Sequence, residues 1–309
     1  MTKREIPVVF NCEGDELVGM IHIPERVRAR GMIAVVAGGP QYRGGIGRLQ
    51  VQLARELSPA GVPVMRFDYR GLGDSEGRFN GFQDVEADLA AAIRTFLQNV
   101  PEVSEVVLWG GCDAASAIMI NAYKFPEVTG IILGNPWVHT EETGDAVTVK
   151  HHYSKRIREK TFWLKVLRLQ YNPLPAFATV GRTLGKRLKN RLFSPSQSAK
   201  DSVSDSPSLP FVARMRNGLA RYSGDVLLLM SGRSIVSKEF DELLETEAAW
   251  QHAAKSPRLF VRHDMPKADQ TFSSVATRAA VTDVTIRWML DPRTPLTDSA
   301  ASNSTGSPT

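Results

Sequence analysis

The sequence predicts an α/β protein, a mostly parallel, doubly wound sheet with one inserted helical segment. Three observations predict it. Short, wholly apolar runs alternate with stretches of helical period up to about residue 138. The alternation stops over 139–220 and resumes over 221–290. One apolar run, Val106 to Trp109, breaks at Gly110-Gly111-Cys112-Asp113-Ala114 and continues as a small-residue helix to Tyr123. Apolar runs without polar alternation are strands covered on both faces, and helices between them are the crossovers that parallel pairing requires.

Taken in order, Ile6 to Phe10 and Leu17 to Ile23 read as two strands flanking a turn at Glu13-Gly14-Asp15. Met32 to Ala37 is a buried strand that ends in Gly38-Gly39-Pro40-Gln41. A helix over 47–59 puts Leu49, Leu53 and Leu57 on one face. The strand Val62 to Phe67 runs into Asp68-Tyr69-Arg70-Gly71-Leu72-Gly73-Asp74-Ser75-Glu76-Gly77. A helix over 81–99 presents Val85, Leu89, Ile93 and Phe96. Val128 to Leu133 is a strand followed by Asn135-Pro136-Trp137. After the insertion come the strand Asp225 to Met230, a helix near 238–252, the strand Arg258 to Val261 and a helix over 271–290. Residues 291–309 carry Pro, Ser and Thr without an apolar period, which predicts a disordered tail. No internal repeat is visible.

Composition is that of an ordinary globular chain: 309 residues, 42% hydrophobic and 23% charged. That is enough for one full core plus an insertion. No apolar run reaches the roughly 18 residues of a membrane span, and the first residues lack a signal-peptide layout. Two cysteines, Cys12 and Cys112, sit in unrelated contexts. They argue against a disulfide framework or zinc site, and for the cytoplasm. No cofactor is expected.

Strand, Gly-x-nucleophile-x-small, helix is the layout of a nucleophile elbow. The sharp turn presses strand and helix together, so a branched side chain at 110 or 114 clashes. Cys112 falls at the tip and at a helix N-terminus, where free N–H groups and the dipole favour a thiolate. The N–H of Asp113 is the expected first oxyanion donor. The competing reading is a Gly-rich turn carrying a buried structural cysteine.

The segment Phe67 to Gly77, taken with the elbow, resembles the α/β-hydrolase superfamily, with both motifs in the expected order. More narrowly, Gly38 to Arg43, Gly110 to Ser116, Asn135 to Val138, Ser231-Gly232-Arg233 and Ala268 to Ser273 resemble the exosortase A system-associated hydrolases of the first type. The likeness covers about residues 5–290. That family accompanies protein-sorting and exopolysaccharide systems in bacteria. The resemblance implies a hydrolase of unassigned substrate with cysteine as nucleophile, acting on an acyl ester or thioester.

In such enzymes the triad runs nucleophile, acid, histidine. The acid follows the strand after the insertion, and here Ser234 stands in its place. The histidine follows the last strand, and here Gln270 stands in its place. A glutamine cannot take a proton from a thiol near neutral pH, and a serine cannot orient an imidazolium by charge. A hydrolase-shaped binding protein without turnover is therefore the rival reading. Among other histidines, His263 at the end of the last strand is the alternative base, with His139 and the pair His151-His152 behind it. Glu239 and Asp241 are alternative acids, both more readily placed on a solvated helix face or in its first turn. The second oxyanion donor normally comes from the loop after the third strand. Pro40 has no N–H, which leaves Gly39, the Gln41 N–H or the Gln41 side chain.

The turn from Arg70 to Ser75 lacks the Gly-Lys-Ser/Thr ending of a nucleotide loop, so it reads as a turn of the fold. Residues 150–191 carry twelve Lys and Arg against Glu159 alone, beside an apolar side formed by Phe162, Trp163, Val166, Leu167 and Leu169. This is either a solvated helix face or a contact for an anionic membrane surface, lipid-linked carrier or acidic polymer. Such a contact would set the protein at the periphery of the inner membrane. No nucleic-acid module is recognisable. The expected partners are a small-molecule or acyl substrate and that anionic surface.

Overall fold

The computed structural model describes residues 4–37, 41–139 and 208–296. Apart from His139, these belong to one unit, Met1–Val138 with Pro207–Thr309; a second unit is His139–Ser206. The basic stretch, His151 and His152 lie outside the described residues.

Eight strands form one sheet. β1 (Arg4–Cys12) and β2 (Asp15–Ile23) are a hairpin. β3 (Arg30–Val35), β4 (Val64–Phe67), β5 (Glu105–Gly111), β6 (Val128–Gly134), β7 (Asp225–Ser231) and β8 (Leu259–Met265) follow. Their order across the sheet is β1-β2-β4-β3-β5-β6-β7-β8. Pairing is antiparallel from β1 to β2 and β2 to β4, and parallel from there on. The first strands are half exposed and alternate, as an edge hairpin should. β4 and β7 are buried throughout.

Two apolar layers cover the faces. On one, α1 (Leu49–Leu57) and the last helix, α7 (Val275–Leu290), set Leu53, Leu57, Val281 and Trp288 against Met32, Val107 and Ile132. On the other, α2 (Glu86–Asn99), α3 (Asp113–Asn121) and α4 (Phe211–Arg221) pack on Ile33, Leu108, Ile131 and Leu228. Two short helices, α5 (Ile235–Thr246) and α6 (Ala248–Ala253), lie between β7 and β8.

Four differences from the sequence reading have physical reasons. Residues 211–220, assigned to the insertion, form α4 on the core. Pro210 stands at its N-terminus, and Met215, Gly218 and Leu219 are its buried face. At Gly218 a Cβ would come within 2.0 Å of the Met119 carbonyl, so glycine alone permits this approach to α3. The helix after β7 starts earlier than 238 because the Ser234 hydroxyl caps it, accepting from Ser237 N–H at 3.1 Å. The last strand runs to Met265, past the expected Val261. The first six residues of the expected tail are structured: a turn closes at Asp291, and Leu296 packs on the core. Residues 297–309 lie outside the described residues.

Candidate active site

Parallel strands deliver their following loops to one edge of the sheet, which is where open α/β sheets gather functional side chains. Here the loops after β5, β6, β7 and β8 carry Cys112, Asn135, Ser234 and Gln270.

Cys112 joins β5 to α3 with φ 58° and ψ −127°. This is a conformation L-residues avoid, costing about 1–3 kcal/mol. It is held on both sides. Cys112 N–H donates to Gly134 O at 2.8 Å, and its carbonyl accepts from Ala115 N at 3.1 Å and from Trp137 N at 3.3 Å. A Cβ at Gly110 would lie 2.7 Å from Ile118 Cδ1 and 2.9 Å from the Ala114 carbonyl carbon, so the small residue there is required by packing. Cys112 is partly exposed and lines a cavity.

The thiol is pushed up from its ordinary range. Burial is the main cause, and the Asp113 carboxylate adds to it; the Asp113 N–H and the Gln270 amide pull the other way. The helix terminus does not win, contrary to the sequence expectation. The residue that supplies the favourable N–H also supplies a like charge. Cys12 is 2% exposed and its thiol is pushed up to about 11, again first by burial.

The structure brings Cys112, Gln270 and Ser234 together. Gln270 faces the sulfur, and its Oε1 accepts from the Ser234 hydroxyl. Its Nε2 makes no hydrogen bond of good geometry among the described residues, although it lies close enough to favour the thiolate. Behind it stands Asn135, fully buried with φ 48°. Asn135 Nδ2 donates to Ser231 Oγ at 2.8 Å and to the Gln270 carbonyl at 2.9 Å. Its Oδ1 accepts from Ser231 N at 2.8 Å and from Ser237 Oγ at 2.7 Å. Ser231 Oγ donates in turn to the Asp269 carbonyl at 2.8 Å. One amide thus ties the ends of β6 and β7 to the loop that holds Gln270. Sequence reasoning quoted Asn135 within a motif but gave it no task; a polar residue directly after a buried strand was the available signal.

The alternative base His263 lies elsewhere. His263 is inside β8 and buried, in register with Leu229, which pairs with Gly134 and so with Gly111. Three strand spacings, about 14 Å, separate its backbone from that of the elbow. An imidazole and a thiol do not bridge that span. His139 and His252 are exposed, and His22 is buried on β2, where its Nε2 accepts from Arg66 Nε at 3.0 Å. Glu239 is 1% exposed, not on a solvated face, and Asp241 pairs with Arg262 at 2.6 Å. Of the oxyanion candidates, Asp113 N–H lies beside the sulfur and Gln41 lines the adjoining cavity. Gly39 lies outside the described residues.

That cavity has a volume of about 130 Å³. Val35, Ile46, Leu49, Trp109 and Phe272 make its wall apolar, with Cys112 and Gln270 at one side. Among the described residues no group of His, Cys, Asp and Glu is arranged to hold a metal ion, and no helix is long and apolar enough to cross a membrane.

A site of this shape can present a sulfur nucleophile to an acyl carbon with an N–H waiting for the oxyanion. It cannot pass a proton through Gln270 and Ser234. Comparison with known proteins places the chain. The family model for serine aminopeptidases, S33, matches residues 28–221. An esterase from Pyrococcus furiosus superposes with a TM-score of 0.59 at 14% identity, over 94% of this chain and 91% of that one. A dienelactone hydrolase from Anabaena variabilis gives 0.55 at 13%, over 94% and 98%. Est1E from Butyrivibrio proteoclasticus, solved with ferulic acid bound, gives 0.54 at 15%, over 92% and 98%. No curated protein matches the sequence.

Proposed function

Since the chain belongs to the serine aminopeptidase S33 family of α/β-hydrolases, we propose that it is an acyl-transfer hydrolase of esters or thioesters with Cys112 as nucleophile. The observation that carries this reading is the strained elbow, which presents the Cys112 sulfur beside a cavity and the Asp113 N–H. The family description names a serine, and this chain has a cysteine. That exchange suits the rest of the site. Cysteine is the nucleophile least dependent on a base, because some thiolate forms without one, although burial and Asp113 keep that fraction small here and make turnover slow. Gln270 can donate from Nε2 but cannot accept a thiol proton, so the proton leaves to solvent before attack. Asp113 N–H, with Gln41 or Gly39, takes the developing oxyanion.

The same chemistry selects the leaving group. An amine must be protonated as it departs, which calls for a general acid. An activated oxygen or a thiolate departs as the anion. Esters and thioesters therefore fit this site better than peptide bonds. The neighbours described as an esterase and a dienelactone hydrolase support the acyl class.

A second reading is favoured by one observation. The Gln270–Ser234 pair stands where a base and its acid would be needed. A catalytically degenerate, hydrolase-like binding protein has no use for either. Intact-mass measurement after exposure to phenyl thioesters, with Cys112→Ala as control, decides between them. The hydrolase reading expects an acyl adduct on Cys112 and slow turnover; unmodified native protein identical to the control is the outcome of the binding-protein reading.

The sequence likeness to exosortase-associated hydrolases supports a role beside that export system, on a substrate presented by a lipid-linked carrier. The basic stretch 150–191 would supply the anionic contact. Co-sedimentation with anionic vesicles at low salt, lost at high salt, tests this. Equal binding to neutral vesicles sinks it.

A further inference from the structure

Two adjacent glycines end β5, and packing explains only one of them. A Cβ at Gly110 would lie 2.7 Å from Ile118 Cδ1, so the approach of α3 requires a glycine there. A Cβ at Gly111 would meet nothing nearer than the Gly134 carbonyl oxygen at 3.8 Å and Trp109 Cη2 at 3.9 Å, both ordinary contacts. Gly111 has no positive φ either. The fold therefore accepts alanine at 111, and a strand is weaker with glycine than with alanine. A strand glycine that neither backbone nor packing demands often marks the close approach of a ligand.

The space in front of Gly111 is the cavity beside Cys112. Strand side chains alternate, so position 111 faces the same side as Trp109. Both residues line that cavity. Its other lining residues grade from exposed Ile46 to Leu49 and Phe272, which are buried. The cavity thus opens at Ile46 and closes at Leu49 and Phe272, with Gly111 next to the sulfur-bearing residue.

We infer that this cavity receives the acyl chain of the substrate and selects short apolar chains, and that Gly111 is the specificity-determining residue that keeps it open. The word acyl rests on the Cys112 reading; the size and the apolarity rest on the cavity. An apolar wall strips water from what enters, which favours an alkyl chain and rejects a charged one. Size sets the length. An apolar cavity of roughly 150 Å³ holds the six carbons of benzene, so about 130 Å³ holds a chain of four or five carbons.

In the covalent step, the Cys112 sulfur bonds to the acyl carbon while the carbon–sulfur bond of the donor thioester breaks. The thiol proton, lost to solvent, is matched by one taken up by the departing thiolate. Nothing is oxidised or reduced.

The experiment is a chain-length series. Acylation of the full-length protein by straight-chain phenyl thioesters, acetyl to decanoyl, is followed by intact mass. Binding of the matching amides, acetamide to octanamide, to the Cys112→Ala protein is measured by calorimetry. From acetyl to butanoyl both should rise by about three- to fourfold per methylene, the worth of one buried CH₂. Both should peak at butanoyl or pentanoyl and fall by octanoyl. Gly111→Ala puts a methyl group into the cavity and should move the peak down by one or two carbons, with no loss of melting temperature. Leu49→Ala removes three carbons from the closed end and should move it up. The native series needs neither variant, so a misfolded one leaves the test intact. Values that keep rising through octanoyl overturn the inference, and an unmoved peak in Gly111→Ala removes Gly111 from it. Amide binding that peaks, without any adduct, retains the cavity's selectivity and removes Cys112 as nucleophile. Adducts of every length without a peak do the reverse.

Discussion

Two polar networks sit at the same edge of the sheet, three strand spacings apart at the ends of β4 and β6, and each is built on a side chain with no accessible surface. Around Asp68 the network is ionic. Asp68 accepts from the Arg43 backbone and guanidinium and from Asp74 N–H, and Arg43 reaches Asp74 at 2.7 Å. Next to it, Arg70 donates to Asp88 at 2.9 and 3.1 Å. Around Asn135 every group is neutral: three serines, one glutamine and two carbonyls. Both networks fix loops. Only the first contains groups that hold full charge in place. The region proposed for the chemistry is built like a neutral structural joint, whereas the region around Asp68 is built like an ionic site.

The largest expected effect comes from converting the second network into something like the first. Ser234→Asp with Gln270→His should raise ester turnover by about 10²–10⁴-fold, the usual worth of a placed general base. The backbone already permits it. Ser234 caps α5, where aspartate is equally good. Gln270 already touches both Cys112 and Ser234. Gln270→His alone should gain part of the effect, and Ser234→Asp alone almost nothing, since no imidazole is there to orient. Turnover of short acyl p-nitrophenyl esters by the four proteins, over a Cys112→Ala background, is the measurement. A double variant no faster than that background would show that the loops hold the wrong geometry.

Stability should separate the two networks next. Asp68→Ala strips a buried carboxylate from Arg43 and should cost about 3–5 kcal/mol in urea unfolding, the range for breaking a buried ion pair. Asn135→Ala opens several neutral hydrogen bonds and should cost about 1–3 kcal/mol. Equal losses would erase the distinction between an ionic and a neutral joint.

How much of this was legible in the sequence follows the same division. Strands and helices were readable because burial leaves a period, and the elbow because a tight turn demands small residues at 110 and 114. Ser234 and Gln270 were singled out from a motif likeness; the structure sets Gln270 against Cys112 and Ser234 against Gln270. What was not readable depends on three-dimensional partners. Asn135 makes four hydrogen bonds to residues about one hundred positions or more away. Glu239 was assigned to a solvated helix face or first turn, and only the packing of α5 shows that it is buried. The thiol of Cys112 was misjudged for the opposite reason. The favourable helix end is local and visible, whereas burial, which outweighs it, is not.

That misjudged thiol provides the smallest and sharpest test, because it asks whether any charge helps the neutral site. Alkylation needs the thiolate. With burial and Asp113 both raising the Cys112 thiol, iodoacetamide labelling should still be accelerating with pH at 9, the ordinary thiol value. Cys12, buried and pushed up to about 11, should label more slowly at every pH, as peptide mapping would show. The sign for a substitution follows. Asp113→Asn removes a negative charge beside the sulfur and keeps the backbone N–H, so the thiolate becomes easier to form. Labelling of Cys112 below pH 9 should then quicken by a few-fold, the scale of one charge near solvent. Slower labelling in that variant would mean that Asp113 orders the elbow more than it repels the thiolate. A native rate that levels off by pH 7 would mean that a positive charge, such as an imidazolium from outside the described residues, already faces the sulfur. Labelling of Cys112 in His151→Ala and His152→Ala would then identify it, and Gln270 would no longer occupy the place of the base.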